Sequence, residues 1–176
     1  YFNEKHNSWS WHCIQPEVRI DDLGPSAYAL SNLSTALMTV TLLQDKLPVT
    51  AAQIKTGLSQ ITLRGRHEVV PGEVTHIFDV AHNPAAVSLL VKFLQKNPCQ
   101  GKTHAVFSML GDKDISECLR LIKNEIAEWY VAPLTVKRAA SREQLEQAFA
   151  KENIVSNKII WMDSIKEAMQ QAKVRG

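Results

Sequence analysis

The sequence has no apolar run near the ~18–20 residues that span a bilayer. Its longest candidates, such as residues 87–94, are broken by Ser88 and Lys92, so no membrane partner is expected. It has no excess of one charge. Twenty basic residues against 18 acidic ones leave a formal net charge of +2. That balance lacks the basic field that nucleic acid or an anionic membrane surface attracts. Cysteine is scarce: Cys13, Cys99 and Cys118 are odd in number and in no metal-ligand spacing. This disfavours a disulfide scaffold and fits a reducing cytoplasm. The chain begins Tyr1-Phe2-Asn3, without an initiator Met or a basic-then-apolar leader. The expectation is a chain cut from a longer one. There is no G-x-x-x-x-G-K-[ST] and no G-x-G-x-x-G, hence no glycine loop to cradle phosphates. There is no H-E-x-x-H and no cysteine-nucleophile signature, and no two of the six histidines have ligand spacing on one element. No metal ligand is assigned.

What remains is an ordinary globular composition, 45% hydrophobic and 22% charged. It excludes a disordered tail or a collagen-like repeat. No internal repeat is visible. Trp9, Trp11 and Cys13 alternate with Ser10 and His12, the period of a strand with one buried face. Pro16, Gly24 and Pro25 punctuate a loop. From Asn32 the period becomes helical, with Leu33, Leu37, Val40 and Leu42 or Leu43 on the apolar stripe and Asn32 a candidate N-cap. Thr50 and Gln53 read as a capping box for a helix reaching about Leu58. A turn at Gly65-Arg66 follows.

Beyond Arg66, strand and helix alternate. Residues 76–80, 105–109, 129–132 and 159–162 read as strands. Asn83-Pro84, Asp114, Ser141 with Gln144, and Asp163 or Ser164 read as helix starts. The expected helical stripes are Val87, Leu90, Val91 and Leu94; Ile115, Leu119, Ile122 and Ile126; Leu145, Ala148 and Phe149; and Ile165, Ala168, Met169 and Ala172. Alternation of this kind predicts an α/β fold, a Rossmann-like, mostly parallel sheet with helices on both faces. Ligands then sit outside the carboxyl ends of the strands. The chain stops on a helix where one more strand is expected. Residues 1–62 have a different texture and read as the tail of a preceding domain; residues 63–176 read as the α/β domain.

The densest chemistry is Asp79-Val80-Ala81-His82-Asn83-Pro84, at a strand-to-helix handover. Spacing leaves two readings open. In one, Asp79 satisfies loop amides, His82 is a surface residue and Asn83 is only a cap. In the other, the segment is a site.

"FDVAHNPAAV" after "LRGRHEVV" resembles the carboxyl-terminal domain of the folylpolyglutamate synthase and dihydrofolate synthase family, within the ATP-dependent Mur-ligase superfamily. "FSMLGDKDI", "EWYVAPLTVKRAASREQL" and "LSNLSTAL" resemble the same family, particularly its bacterial bifunctional members, in colinear order. The resemblance implies a ligase, a monomer, that joins L-glutamate to dihydropteroate or a folate with ATP and Mg2+. The acid is activated as an acyl phosphate, which the glutamate amine attacks. Residues 1–62 would then close the family's central ATP-binding domain, and residues 63–176 would be its carboxyl-terminal domain. The family's phosphate loop and magnesium ligands would lie upstream, so the chain alone is expected to be inactive.

The resemblance also assigns roles. Arg66 matches the linker arginine that reaches the ATP phosphates, where a guanidinium fork suits two phosphate oxygens. Asp79 matches the acceptor of the ribose hydroxyls. Asn32 matches an asparagine that contacts the nucleotide. His82 matches the histidine near the acyl phosphate and the incoming glutamate, in a protonation state the sequence leaves open. Asn83 and Lys113 are candidate nucleotide or glutamate contacts, with Gly111-Asp112-Lys113-Asp114 expected on the same sheet edge as Asp79. Arg138 and Arg142 read as solvated charge, the four tryptophans as core or junction packing, and Cys99 and Cys118 as ordinary thiols. Competing readings are a stand-alone nucleotide-binding module and a cell-wall Mur-type ligase. Arg66, Asp79 and His82 together favour a ligase, and the Ala-His-Asn-Pro and Trp-Tyr-x-Ala-Pro stretches favour folate.

Overall fold

The structure, a computed structural model, describes residues 2–3, 8–26 and 28–175. The chain divides into two compact units, residues 1–63 and 64–176.

The first unit carries an antiparallel sheet of β1 (Phe2–Asn3), β2 (Ser8–Cys13) and β3 (Val18–Leu23). The alternation in β2 points Trp9, Trp11 and Cys13 inward, onto Ile20, Leu23, Leu33 and Leu37. The Trp11 indole donates to Ser34 Oγ at 2.8 Å, so the buried N–H has an acceptor. Helix α1 (Leu30–Leu42) buries Leu33, Leu37 and Thr41. Leu42 is 66% exposed and Leu43 39%, contrary to expectation. A stripe stepping by four residues ends on Thr41, and Leu42 lies about 100° round the helix from it. Asn32 is not the N-cap either. That position is Ala29, whose carbonyl accepts the Asn32 N–H at 3.0 Å. Helix α2 (Ala51–Ser59) has both halves of its capping box: Gln53 N–H donates to Thr50 Oγ1 at 3.2 Å, and Thr50 N–H to Gln53 Oε1 at 2.8 Å.

The second unit runs β4 (Glu68–Val70), β5 (His76–Phe78), α3 (Pro84–Lys96), β6 (His104–Phe107), α4 (Ile115–Ile122), β7 (Glu128–Val131), α5 (Arg142–Lys151), β8 (Ile159–Trp161) and α6 (Ile165–Arg175). Strands β6, β7 and β8 form a parallel sheet in that order, with Ala105, Trp129 and Ile159 in register. Successive residues of β7 serve two cores. Trp129 and Val131 join Leu119, Leu145 and Phe149 on one face. Tyr130, with Ala132 just past the strand, meets Ala168 of α6 on the other. A central parallel strand buried on both sides needs this unbroken apolar run. Trp129, Phe149 and Phe107 meet edge to face at 5.2–5.8 Å between centroids.

Residues 76–80 do not open this parallel sheet. β5 ends at Phe78 and pairs antiparallel with β4, Glu68 opposite Phe78 and Val70 opposite His76. The short connection through Pro71-Gly72 closes a hairpin between neighbours in sequence, at lower entropy cost than a crossover. Asp79 and Gly111 therefore do not share a hydrogen-bonded sheet edge. Ile126 is buried, as the apolar stripe suggested, but α4 ends at Ile122 and a 3₁₀ turn precedes it. The expected caps hold: Asn83, Asp114 and Ser141 each accept an N–H three residues on. At α6 the acceptor is Ser164, for Glu167 N–H at 3.2 Å.

The cysteines are free: Cys13 and Cys118 are buried, Cys99 is exposed. Burial, with Asp114 and Glu117 nearby, pushes the Cys118 thiol up to about 11. The thiolate is the reacting form, so Cys99 is expected to be alkylated first in the folded chain. Mass spectrometry of timed iodoacetamide labelling checks this; labelling of Cys118 ahead of Cys99 would contradict the packing.

Candidate functional site

In the second unit a turn at residues 64–67 and the loop that follows β5 are clasped together. Val80 N–H donates to Gly65 O at 2.8 Å. His67 N–H donates to Asp79 Oδ2 at 2.8 Å, and Ala81 N–H to Asp79 Oδ1 at 2.7 Å. Gly65 N–H is taken by Glu68 Oε2 at 2.7 Å. Gly65 has φ +67°, and a Cβ there would stand 3.0 Å from Val80 Cγ1. Backbone freedom and close approach therefore both call for glycine. The clasp holds Arg66 exposed between two residues of positive φ, Gly65 and His67.

The Asp79 side chain is only 7% exposed. Each of its oxygens already accepts a backbone N–H, so the loop-amide reading is realised. A carboxylate oxygen has a second lone pair, which leaves acceptor capacity in each. His67 lies over Phe93 of α3, with ring centroids 4.7 Å apart and planes 8° from parallel. Its Nε2 stands 3.6 Å from Asp79 Oδ2.

His82 is exposed, and its Nδ1 lies 2.8 Å from the Val80 carbonyl oxygen. A carbonyl only accepts, so Nδ1 carries the proton. Nε2 is then the acceptor when the ring is neutral and a second donor when it is charged. Asn83 Oδ1 accepts Ala86 N–H at 2.9 Å, and Pro84 supplies the first helical residue. The cap thus occupies the Asn83 oxygen and fixes the exit of the His82 loop. Beside the clasp, between Arg64, Glu68, Phe78, Asp79 and Val80, lies a cleft of about 430 Å³.

Lys113 belongs to a separate cluster. The loop after β6 is bound to the loop before α5: Gly111 N–H donates to Arg138 O at 2.9 Å, and Leu110 bridges Ala139. Asp112 accepts from Arg138 and lies 3.4 Å from Lys113 Nζ. The Arg138 guanidinium holds the Asp112 carboxyl below its usual range. Arg142 pairs with Glu146 and lies 4.8 Å from the Trp161 ring centroid. Neither arginine is simply solvated. Asn32 is an exposed residue of α1, in the first unit.

The structure thus brings Arg66, Asp79, His82 and Asn83 into one turn-and-loop assembly, and puts Lys113 in another. Sequence reasoning missed His67 and its ring partner Phe93. An Asx-type contact from Asp79 to the amide two residues on was open to prediction; a left-handed histidine was not. Among the described residues, no group of three or more His, Cys, Asp or Glu side chains is placed to hold a metal ion.

Residues 65–175 match the family described as Mur ligase, glutamate ligase domain. The chain is 30% identical over 164 residues to a dihydrofolate synthase/folylpolyglutamate synthase of Buchnera aphidicola subsp. Schizaphis graminum, covering 93% of this chain and 38% of the relative. It is 40% identical over 114 residues to the protein of that name from Escherichia coli K12, covering 65% and 26%. It superimposes with TM-score 0.76 and 36% identity on a bifunctional folylpolyglutamate synthase/dihydrofolate synthase crystallised with Mn, AMPPNP and L-glutamate, covering 96% of this chain and 38% of that one. The chain spans under two-fifths of the length of these relatives. The chain belongs to the Mur ligase family, with its glutamate ligase domain at residues 65–175.

Proposed function

We propose that this chain is the carboxyl-terminal part of an ATP-dependent ligase that adds L-glutamate to dihydropteroate, to folates or to both. The observation that carries the reading is the clasp: it holds a guanidinium, a carboxylate and an imidazole on one hydrogen-bonded turn and loop, in a chain whose relatives bear that ligase name. Residues 1–62 are read as the tail of the central ATP-binding domain and 63–176 as the carboxyl-terminal domain. The division between Leu63 and Arg64 supports this.

The chemistry proceeds in two displacements. A carboxylate oxygen of the pterin substrate attacks the γ-phosphorus of ATP, and ADP leaves. The glutamate amine then attacks the acyl carbon, and phosphate leaves as the amide forms. Negative charge moves over phosphate oxygens in both steps, which favours preorganised cations and donors there. Arg66, held exposed by the clasp, binds the phosphates. Asp79 accepts a ribose hydroxyl through lone pairs its two amides do not use. His82, with Nδ1 tied to Val80 O, offers Nε2 to the acyl phosphate or to the attacking amine. Asn32 is a further nucleotide contact, and Asn83 and Lys113 are nucleotide or glutamate contacts. Mg2+ would screen the phosphates when bound; no residue of this chain is assigned to it.

The 176 residues contain no phosphate-cradling glycine loop. Without such backbone N–H groups the triphosphate lacks its main cradle. The purified chain, given ATP, Mg2+, L-glutamate and a folate acceptor, is therefore expected to give no ligation or ATP hydrolysis. ATP-dependent product above an enzyme-free control would contradict this assignment.

A further inference from the structure

Resting on the reading of Arg66 and Asp79 as nucleotide-binding groups, we propose that His67 is the positioning residue of the site: its ring, stacked on Phe93, sets the turn that aims Arg66 and seats Asp79. Its backbone is in the left-handed region, at φ +47°. A non-glycine residue is uncommon in that region, histidine less so than most, and it persists there where its surroundings hold it. Three contacts do so here. The His67 N–H is bound by Asp79 Oδ2 at 2.8 Å. The ring lies flat on Phe93, 4.7 Å between centroids and 8° from parallel. Nε2 comes within 3.6 Å of the same Asp79 oxygen.

The consequence falls on the neighbours. Arg66 stands between Gly65 at φ +67° and His67 at φ +47°, so the direction of its side chain follows from both. The ring of His67 reaches from the Asp79 carboxylate to α3, the helix that Asn83 caps directly after His82. One side chain thereby ties the turn before β4, the loop after β5 and the first helix of the unit. The His67 side chain is 13% exposed, which suits a support behind the site and not a substrate contact.

The test uses the complete ligase. His67→Ala removes the stack, and His67→Phe restores a ring of similar shape without the ring nitrogens. The expected result for His67→Ala is an ATP KM raised about tenfold, since small displacements of a binding group are costly. The glutamate KM should stay within about twofold. His67→Phe is expected to return ATP KM to within about threefold of wild type, because the ring contact does the positioning. A support that only stabilised the fold would lower Tm and leave the ATP KM of the folded enzyme unmoved. If His67→Ala does not fold, His67→Leu fills the volume without a flat ring, and the same thresholds apply. The inference is overturned if ATP KM is unchanged in the variant while Arg66→Ala and Asp79→Asn raise it. It is also overturned if ATP and glutamate KM rise together, or if His67→Phe gives no recovery. If Arg66→Ala and Asp79→Asn themselves leave ATP use unchanged, the reading of the site has failed and the inference falls with it.

Discussion

Replacing Arg66 by alanine is expected to lower kcat/KM of the complete ligase by about 10²–10³-fold, the usual cost of one lost electrostatic contact to a charge that develops in the transition state. The fold should not notice. Arg66 is exposed, and its neighbours in the clasp are joined through backbone groups of Gly65 and His67 and through Asp79. None of those bonds uses the guanidinium. Steady-state kinetics beside thermal melts separate the two effects. A rate within twofold of wild type, or a fall in Tm large enough to empty the folded state, would remove Arg66 from the phosphate role.

Asp79→Asn is expected to differ from His82→Ala in kind. Asp79 accepts two backbone N–H groups, one on each oxygen, with its side chain 7% exposed. An amide keeps one acceptor and turns the other into an NH2 group facing a backbone donor. A buried unmatched donor costs ~1–3 kcal/mol, so Asp79→Asn should lower Tm as well as raise ATP KM. The family resemblance alone implies a nucleotide effect; the two amides add a structural one. His82 is exposed and its ring bonds only the carbonyl of Val80 among the bonds described. His82→Ala should keep Tm and ATP KM and depress kcat or glutamate use. Titrations of ATP and of glutamate on both variants decide. Matching patterns in the two variants, or wild-type behaviour of His82→Ala, would end this division of labour.

The contrast also shows which features a sequence carries openly. The helix starts at Thr50, Asn83, Asp114 and Ser141 were legible because a cap is a contact between residues three apart. The β7 core was legible because one unbroken apolar run identifies a strand covered on both sides. Strand partnership was not. Residues 76–80 have the composition of a parallel strand, yet β5 pairs with β4, a three-residue strand too short to declare itself. The Asn32 cap failed because the helix begins earlier, at Leu30 after Ala29, whose side chain has no acceptor and so gives no capping signal. At the site, the family resemblance pointed to Arg66, Asp79 and His82. The support came from a positive φ at His67 and from a ring 26 positions further on, Phe93. Neither leaves a local signature.

The most direct measurement is incorporation of labelled L-glutamate by the complete protein, with dihydropteroate and with a reduced folate as separate acceptors. The expected result is product that requires ATP, Mg2+ and an acceptor, one ADP released per glutamate added, and loss of that product in Arg66→Ala with the fold intact. Absence of product from folded, wild-type protein with either acceptor, or glutamate addition that persists without ATP, would contradict it.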